Sequence, residues 1–169
     1  MPLALIRIAK AKWYRHSWLS REDVGADALT DLKTKGNTLS IWMIDDERSN
    51  LDQVVAALAA GRHKLGHFDY ALLDYALLEG AGLAMKRYPG TTRDREANDY
   101  HVDIVQLTAR DIGQLAEWIA QSPDRTRVPE WEVGSLLDEA VAHGRIDGAE
   151  MDGTLVLDLN KKRSSWAEP

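Results

Sequence analysis

The sequence predicts one compact α/β or α+β domain, with a mixed sheet of about five or six strands and about four packed helices. Three observations carry that expectation. Segments with strand-like alternation and segments with helical i, i+3, i+4 spacing follow one another along the chain. The 169 residues match the length of one domain, and a 44% hydrophobic content is enough to fill a core. Cysteine is absent, which excludes a disulfide scaffold, a thiolate nucleophile and every cysteine-based zinc site.

Taken in order, residues 3–9 form an apolar run around Leu3, Leu5 and Ile8 that reads as a first strand. Ser20 and Asp23 have the spacing of a helix-capping box. Val24, Ala28, Leu29 and Leu32 share one face of the helix expected to follow, which should stop at residues 33–36. Residues 38–44 alternate as a strand, and a second capping box, Ser49 and Asp52, precedes a helix packed through Leu51, Val54, Val55 and Leu58.

The pentapeptide Asp-Tyr-Ala-Leu-Leu occurs twice in succession, at 69–73 and 74–78. We read a buried strand over 68–73, a short helix to Glu79 broken by Gly80 and Gly82, and a further strand over 83–88. One continuous helix over 69–79 is the competing reading, because periodicity does not separate the two.

Residues 89–100 are polar and read as a long exposed loop, followed by a strand over 101–107. Thr108 and Asp111 form a third capping box, before an amphipathic helix carried by Ile112, Leu115, Ala116 and Ile119. Ser122 and Pro123 end it, and 124–129 reads as a loop. A helix over 130–142 with Gly144 as its C-terminal stop leads to a last strand over 154–159. The chain divides accordingly into a main part, 1–122, a docked helix-strand lobe of the same domain, 123–159, and a polar tail, 160–169.

Charge is unevenly placed. Residues 1–21 carry five basic side chains and no acid, whereas 128–158 carry eight acids against Arg145 alone. The longest apolar run, residues 54–60, is far short of the roughly 18 that a membrane span needs. Together with an N-terminus unlike a signal peptide, this points to a soluble cytoplasmic protein without membrane attachment.

The common nucleotide-loop, nucleophile-elbow and HExxH patterns are absent from the sequence. His63 and His67 have helical metal-ligand spacing, but Gly61 and Gly66 make a polar loop the better reading. The best catalytic constellation is His101 and Asp103 with Asp45, Asp46 and Glu47. Residues two apart on a strand face the same side, so His101 and Asp103 present an imidazole and a carboxylate together. Asp45 follows the end of another expected strand, and the cluster would serve a hydrolase or a metal-dependent nuclease if the two strands are neighbours.

A second constellation is the N-terminal run of Lys10, Lys12, Trp13, Tyr14, Arg15, His16 and Trp18, where cations alternate with aromatic rings. Such a patch suits single-stranded nucleic acid or an acidic protein. Residues 22–169 hold eleven more acids than bases, which disfavours a long polyanion.

Trp42, Trp118 and Trp131 read by default as core or inter-element packing, with an interaction surface as the alternative for Trp118 and Trp131, which flank 122–129. Trp166 lies in the polar tail, either as a short docking motif or without a role. The expected function is therefore non-enzymatic binding of another macromolecule, a protein in the first instance, through charged and tryptophan-bearing surfaces. No cofactor or metal is expected, and the charge poles permit self-association.

Overall fold

A computed structural model describes residues 1–9, 13, 23–32 and 34–166. Six strands build one sheet: β1 (Leu3–Ile8), β2 (Leu39–Ile44), β3 (Phe68–Asp74), β4 (Ala84–Arg87), β5 (His101–Val105) and β6 (Arg125–Val128). Their spatial order is β4-β5-β2-β1-β3-β6. Every pairing is antiparallel, where a mixed sheet was expected, so the class resolves to α+β. Six helices are described rather than about four: α1 (Ala26–Leu29), α2 (Leu51–Ala60), α3 (Tyr75–Gly80), α4 (Ala109–Gln121), α5 (Glu130–Ala142) and α6 (Gly153–Trp166).

Helices cover both faces of the sheet. On the first face, Leu5, Trp42, Ile44, Phe68, Tyr70 and Leu72 pack against Val54 and Val55 of α2, Val133 and Leu137 of α5, and Leu155 and Leu159 of α6. On the second, Ile6, Ile41, Ala71, Leu73, Val102 and Ile104 pack against Ala28 of α1, Leu78 of α3 and Leu115, Ala116 and Ile119 of α4. Burial from two sides removes the need for polar alternation, which is why β3 reads as a nearly unbroken apolar run. Toward β5 the alternation returns. Val102 and Ile104 are buried, while His101, Asp103 and Val105 are only half-buried on the first face. That stretch of the first face is the part the helices leave open.

The duplicated pentapeptide folds in two ways. Its first copy lies in β3, and its second forms the start of α3, with Asp74 accepting a hydrogen bond from the Ala76 N–H as helix cap. The strand-then-helix reading holds, and the single-helix alternative does not. The Thr108–Asp111 capping box also forms, with both reciprocal bonds present.

Several expectations are corrected. α1 is one turn capped by Gly25, and Gly36 lies instead in a tight turn with Asn37, both at positive φ, bridging Lys35 to Thr38. Ser49 does not cap α2. Its N–H and hydroxyl go back to Asp45, while the Asn50 side chain ties the Met43 carbonyl to the Asp45 N–H.

Residues 89–100 are not a loose exposed loop. Asp94 and Ala97 are buried, and a 3-10 turn, Ala97–Tyr100, closes the segment onto α2. Residues 125–128 form the edge strand β6, whose Arg127 holds the carboxylate of Asp69 on β3 with two bonds of 2.8 and 2.9 Å.

Finally, 154–159 is helix, not strand. α6 starts after Asp152, which accepts from the Thr154 N–H, and continues through the expected tail to Trp166. Among the described residues, no helix is long and apolar enough to cross a membrane.

Candidate functional site

The antiparallel ladder between β2 and β5 sets Trp42 opposite His101 and Ser40 opposite Asp103. These four side chains share the uncovered end of the first face. The Ser40 hydroxyl donates to Asp103 Oδ1 at 2.9 Å, and His101 Nε2 lies 3.4 Å from the same oxygen. The other ring nitrogen, Nδ1, is 2.9 Å from the Tyr88 carbonyl, to which it donates. Trp42 meets the His101 ring edge-on, with centroids 5.0 Å apart, and this fixes the plane of the imidazole. His101 and Asp103 are 11% and 21% exposed, so both reach solvent at the mouth of a cavity rather than being sealed in the core.

The wall over these residues is the 88–95 segment. Gly90 makes it possible: a Cβ there would stand 2.6 Å from the Trp42 ring, 2.7 Å from Asn98 Oδ1 and 3.2 Å from the His101 Cβ. Asn98 holds the turn by accepting from the Thr92 N–H and hydroxyl and donating to the Thr92 carbonyl. Buried Asp94 takes the Ala97 N–H at 2.9 Å and the Gln53 side-chain amide at 3.3 Å. Arg93 reaches the carbonyls of Ala60, at the end of α2, and Glu150. These bonds of Thr92, Arg93, Asp94 and Asn98 hold the turn against α2 and the floor.

Together these elements enclose a cavity of ≈ 880 Å³ bounded by Ser40, Trp42, His101, Asp103, the 88–95 wall and the end of α2. A second hollow of ≈ 530 Å³, lined by Arg7, Asp31, Lys35 and Thr38, shares Ser40, Trp42 and Leu58 with the first. The two meet in one trough across β1, β2 and β5. Its floor follows from register. β1 pairs with β2 only as far as Leu5 and Trp42, and beyond that point Arg7 and Ser40 line the second hollow together. Ser40 faces Asp103, and Asp103 faces Lys86 on β4. A polar row of Ser40, Asp103 and Lys86 thus crosses three strands, about 10 Å at the usual interstrand spacing, with Arg7 at its Ser40 end.

The expected cluster forms only in part. His101 and Asp103 share a side, but Asp45 is three residues beyond Trp42, roughly 10 Å further along the strand direction. Hydrogen bonds from Ser49 hold the Asp45 carboxyl below the usual carboxylate range. Among the described residues, no group of three or more histidines and acids stands close enough to hold a metal ion. Ser40 and Trp42, the actual neighbours of the pair, were not singled out. Their signal was available only as position: both lie on the strand-like 38–44 segment, on one side, but which strand it meets is a tertiary fact.

Of the N-terminal patch, Lys10, Lys12, Tyr14, Arg15 and Trp18 lie outside the described residues. Trp13 is 3% exposed and packs on the second face with Ala28 and Leu32, its indole N–H donating to Asp31 Oδ2 at 2.8 Å. It is a core residue. Trp118 packs on the second face and Trp131 sits on α5 over the first, so the two do not form one surface. Trp131 is 56% exposed. Trp166, expected in a loose tail, closes α6 onto α5 above Gly134, where a Cβ would come within 2.5 Å of its ring. Lys162 with Glu130 and Arg163 with Asp138 fasten the same contact.

Compared with protein-family models, with curated proteins and with solved structures, the chain matches none.

Proposed function

We propose that this chain is a non-enzymatic binding domain whose trough takes an extended, acidic segment of a partner protein. The observation that carries the reading is the commitment of the reactive groups to one another. Ser40 donates to Asp103 rather than to His101, and the imidazole Nδ1 is taken by the Tyr88 carbonyl, while Nε2 lies 3.4 Å from Asp103. A nucleophile needs its base within hydrogen-bond reach. The Ser40 hydroxyl is committed to a carboxylate instead.

Charge supports an acidic occupant. Arg7, Lys35, Arg93 and Arg95 line the two hollows against Asp31, Asp103 and Glu150. Two of those acids already accept protein hydrogen bonds: Asp31 from the Ala9 N–H and the Trp13 indole, Asp103 from Ser40. The paired floor from Ser40 to Lys86, about 10 Å, matches about three residues of extended chain. The reading keeps the cytoplasmic location expected from the cysteine-free composition. Nucleic acid is the weaker candidate, since the acidic body opposes it.

The test is selection of a displayed random-peptide library on the wild-type chain and on a Ser40→Tyr variant that fills the floor. The expected result is a family of acidic peptides captured by the wild type and lost in the variant. Absence of any sequence preference would end the reading. So would turnover of simple esters or phosphoesters that disappears in His101→Ala.

A further inference from the structure

Beside the second hollow, Arg7 shares an aromatic ring with another arginine. Arg62, just past α2, lies over the Phe68 ring with its guanidinium carbon 4.9 Å from the centroid, and Arg7 on β1 approaches the same ring at 6.0 Å. One aromatic ring therefore seats two like charges, each within or near the range of a cation–π contact. Arg62 donates through one terminal nitrogen to the carbonyls of Gly66 and His67, which fixes its plane. Its Nε is buried and has no hydrogen-bond partner. A buried guanidinium N–H without an acceptor costs free energy that native structures seldom leave uncompensated.

Acids near the pair are already occupied. Asp69 is held on both oxygens by Arg127, and Asp31 serves the Ala9 N–H and the Trp13 indole. Among the described residues Arg7 makes no ion pair or hydrogen bond, and it lines the second hollow with Lys35. Burial, and next the charge of Arg7, lower the Arg62 pKa to about 10, with the nearby Asp69 carboxylate opposing them. It stays protonated at neutral pH, and Asp69 offsets only part of the repulsion between the two arginines.

We propose that Arg7 and Arg62, with Lys35 at the rim, form an oxyanion subsite that receives a carboxylate or phosphate group of the ligand in the trough. The proposal deepens the binding function above and rests on it only for the identity of the larger ligand. Guanidinium groups give an oxyanion paired, charge-assisted hydrogen bonds, and an anion held between the two arginines would relieve their repulsion. The subsite lies at the Ser40 end of the Ser40–Asp103–Lys86 row, so it fixes the register of a longer segment as well as adding attraction.

The experiment is a titration of the full chain, at constant ionic strength, with inorganic phosphate in one arm and acetate in the other. The readout is the arginine Nε–Hε NMR resonances. The expected result is a saturable shift of the Arg62 resonance, with apparent affinity weakened about ten-fold or more in Arg7→Gln and unchanged in Arg110→Gln on α4. The arm that binds more tightly tells which group the subsite reads. Linear, unsaturable shifts in both arms, or an affinity indifferent to Arg7→Gln, would overturn the subsite. Saturable phosphate or acetate binding without any selected peptide would uphold the subsite and remove the peptide reading. Peptides captured by the wild type but insensitive to Arg7→Gln would do the reverse.

Discussion

Ser40 on β2 and Asp103 on β5 stand directly opposite each other in the ladder, joined by a 2.9 Å bond from hydroxyl to carboxylate. This bond organises the trough floor, because the same carboxylate oxygen faces His101. Ser40→Ala and Asp103→Asn should therefore couple. In a double-mutant cycle read by urea denaturation, the expected interaction free energy is about 1 kcal/mol. Simple additivity would mean that the two residues do not act together in solution.

Gly90 lets the wall of the cavity touch its floor. Gly90→Ala would push a methyl group into the Trp42 ring and the Asn98 side chain. The expected cost is about 1–3 kcal/mol, with a changed near-ultraviolet circular dichroism signal from Trp42. An unaltered midpoint and spectrum would show that the wall does not rest on Trp42.

Trp13 should behave as a core residue. Replacing it with alanine removes a buried ring and strands the Asp31 contact, so a loss of about 3 kcal/mol or more is expected by chemical denaturation. A fully stable Trp13→Ala chain would return the residue to the list of surface binding candidates.

The capping carboxylate of α4 sets one contribution to acid sensitivity. The Thr108 N–H and hydroxyl hold Asp111 below its ordinary value near 3.8. A carboxylate depressed in the folded state stabilises above its unfolded pKa and loses that contribution as pH falls through the folded one. The stability difference between wild type and Asp111→Asn should accordingly be present at neutral pH and shrink as the pH falls below the ordinary carboxylate value near 3.8. A difference that stays constant over that range would place the effect elsewhere.

What could be read without the structure follows a physical division. β1, β2, β5, α2, α4 and α5 were legible because each combines its own period with a burial pattern. β6 was not, since Arg125 and Arg127 on an edge strand look like loop, and their fit depends on Asp69 and β3. α6 was misread because its first six residues alternate like a strand. Leu155, Leu159, Lys162 and Trp166 recur at helical spacing, but two of these lay in a segment set aside as tail. At the site, the side-by-side placement of His101 and Asp103 needed only strand geometry. The addition of Ser40, Trp42 and Arg7 needed strand order and register, and those are decided by contacts far apart in sequence.

The repeated pentapeptide has a consequence for how the chain reaches this state. Against β1, the segments 69–73 and 74–78 offer the same five side chains, so a strand slipped by five residues would pair with equal comfort. What breaks the tie lies outside the repeat. Phe68 anchors the native frame among Val128 and the two arginines, and the slipped frame would put Leu73 there. Asp74 would also leave its capping bond to the Ala76 N–H. Fidelity of folding in the middle of the sheet thus hangs on one phenylalanine, the only one in the chain.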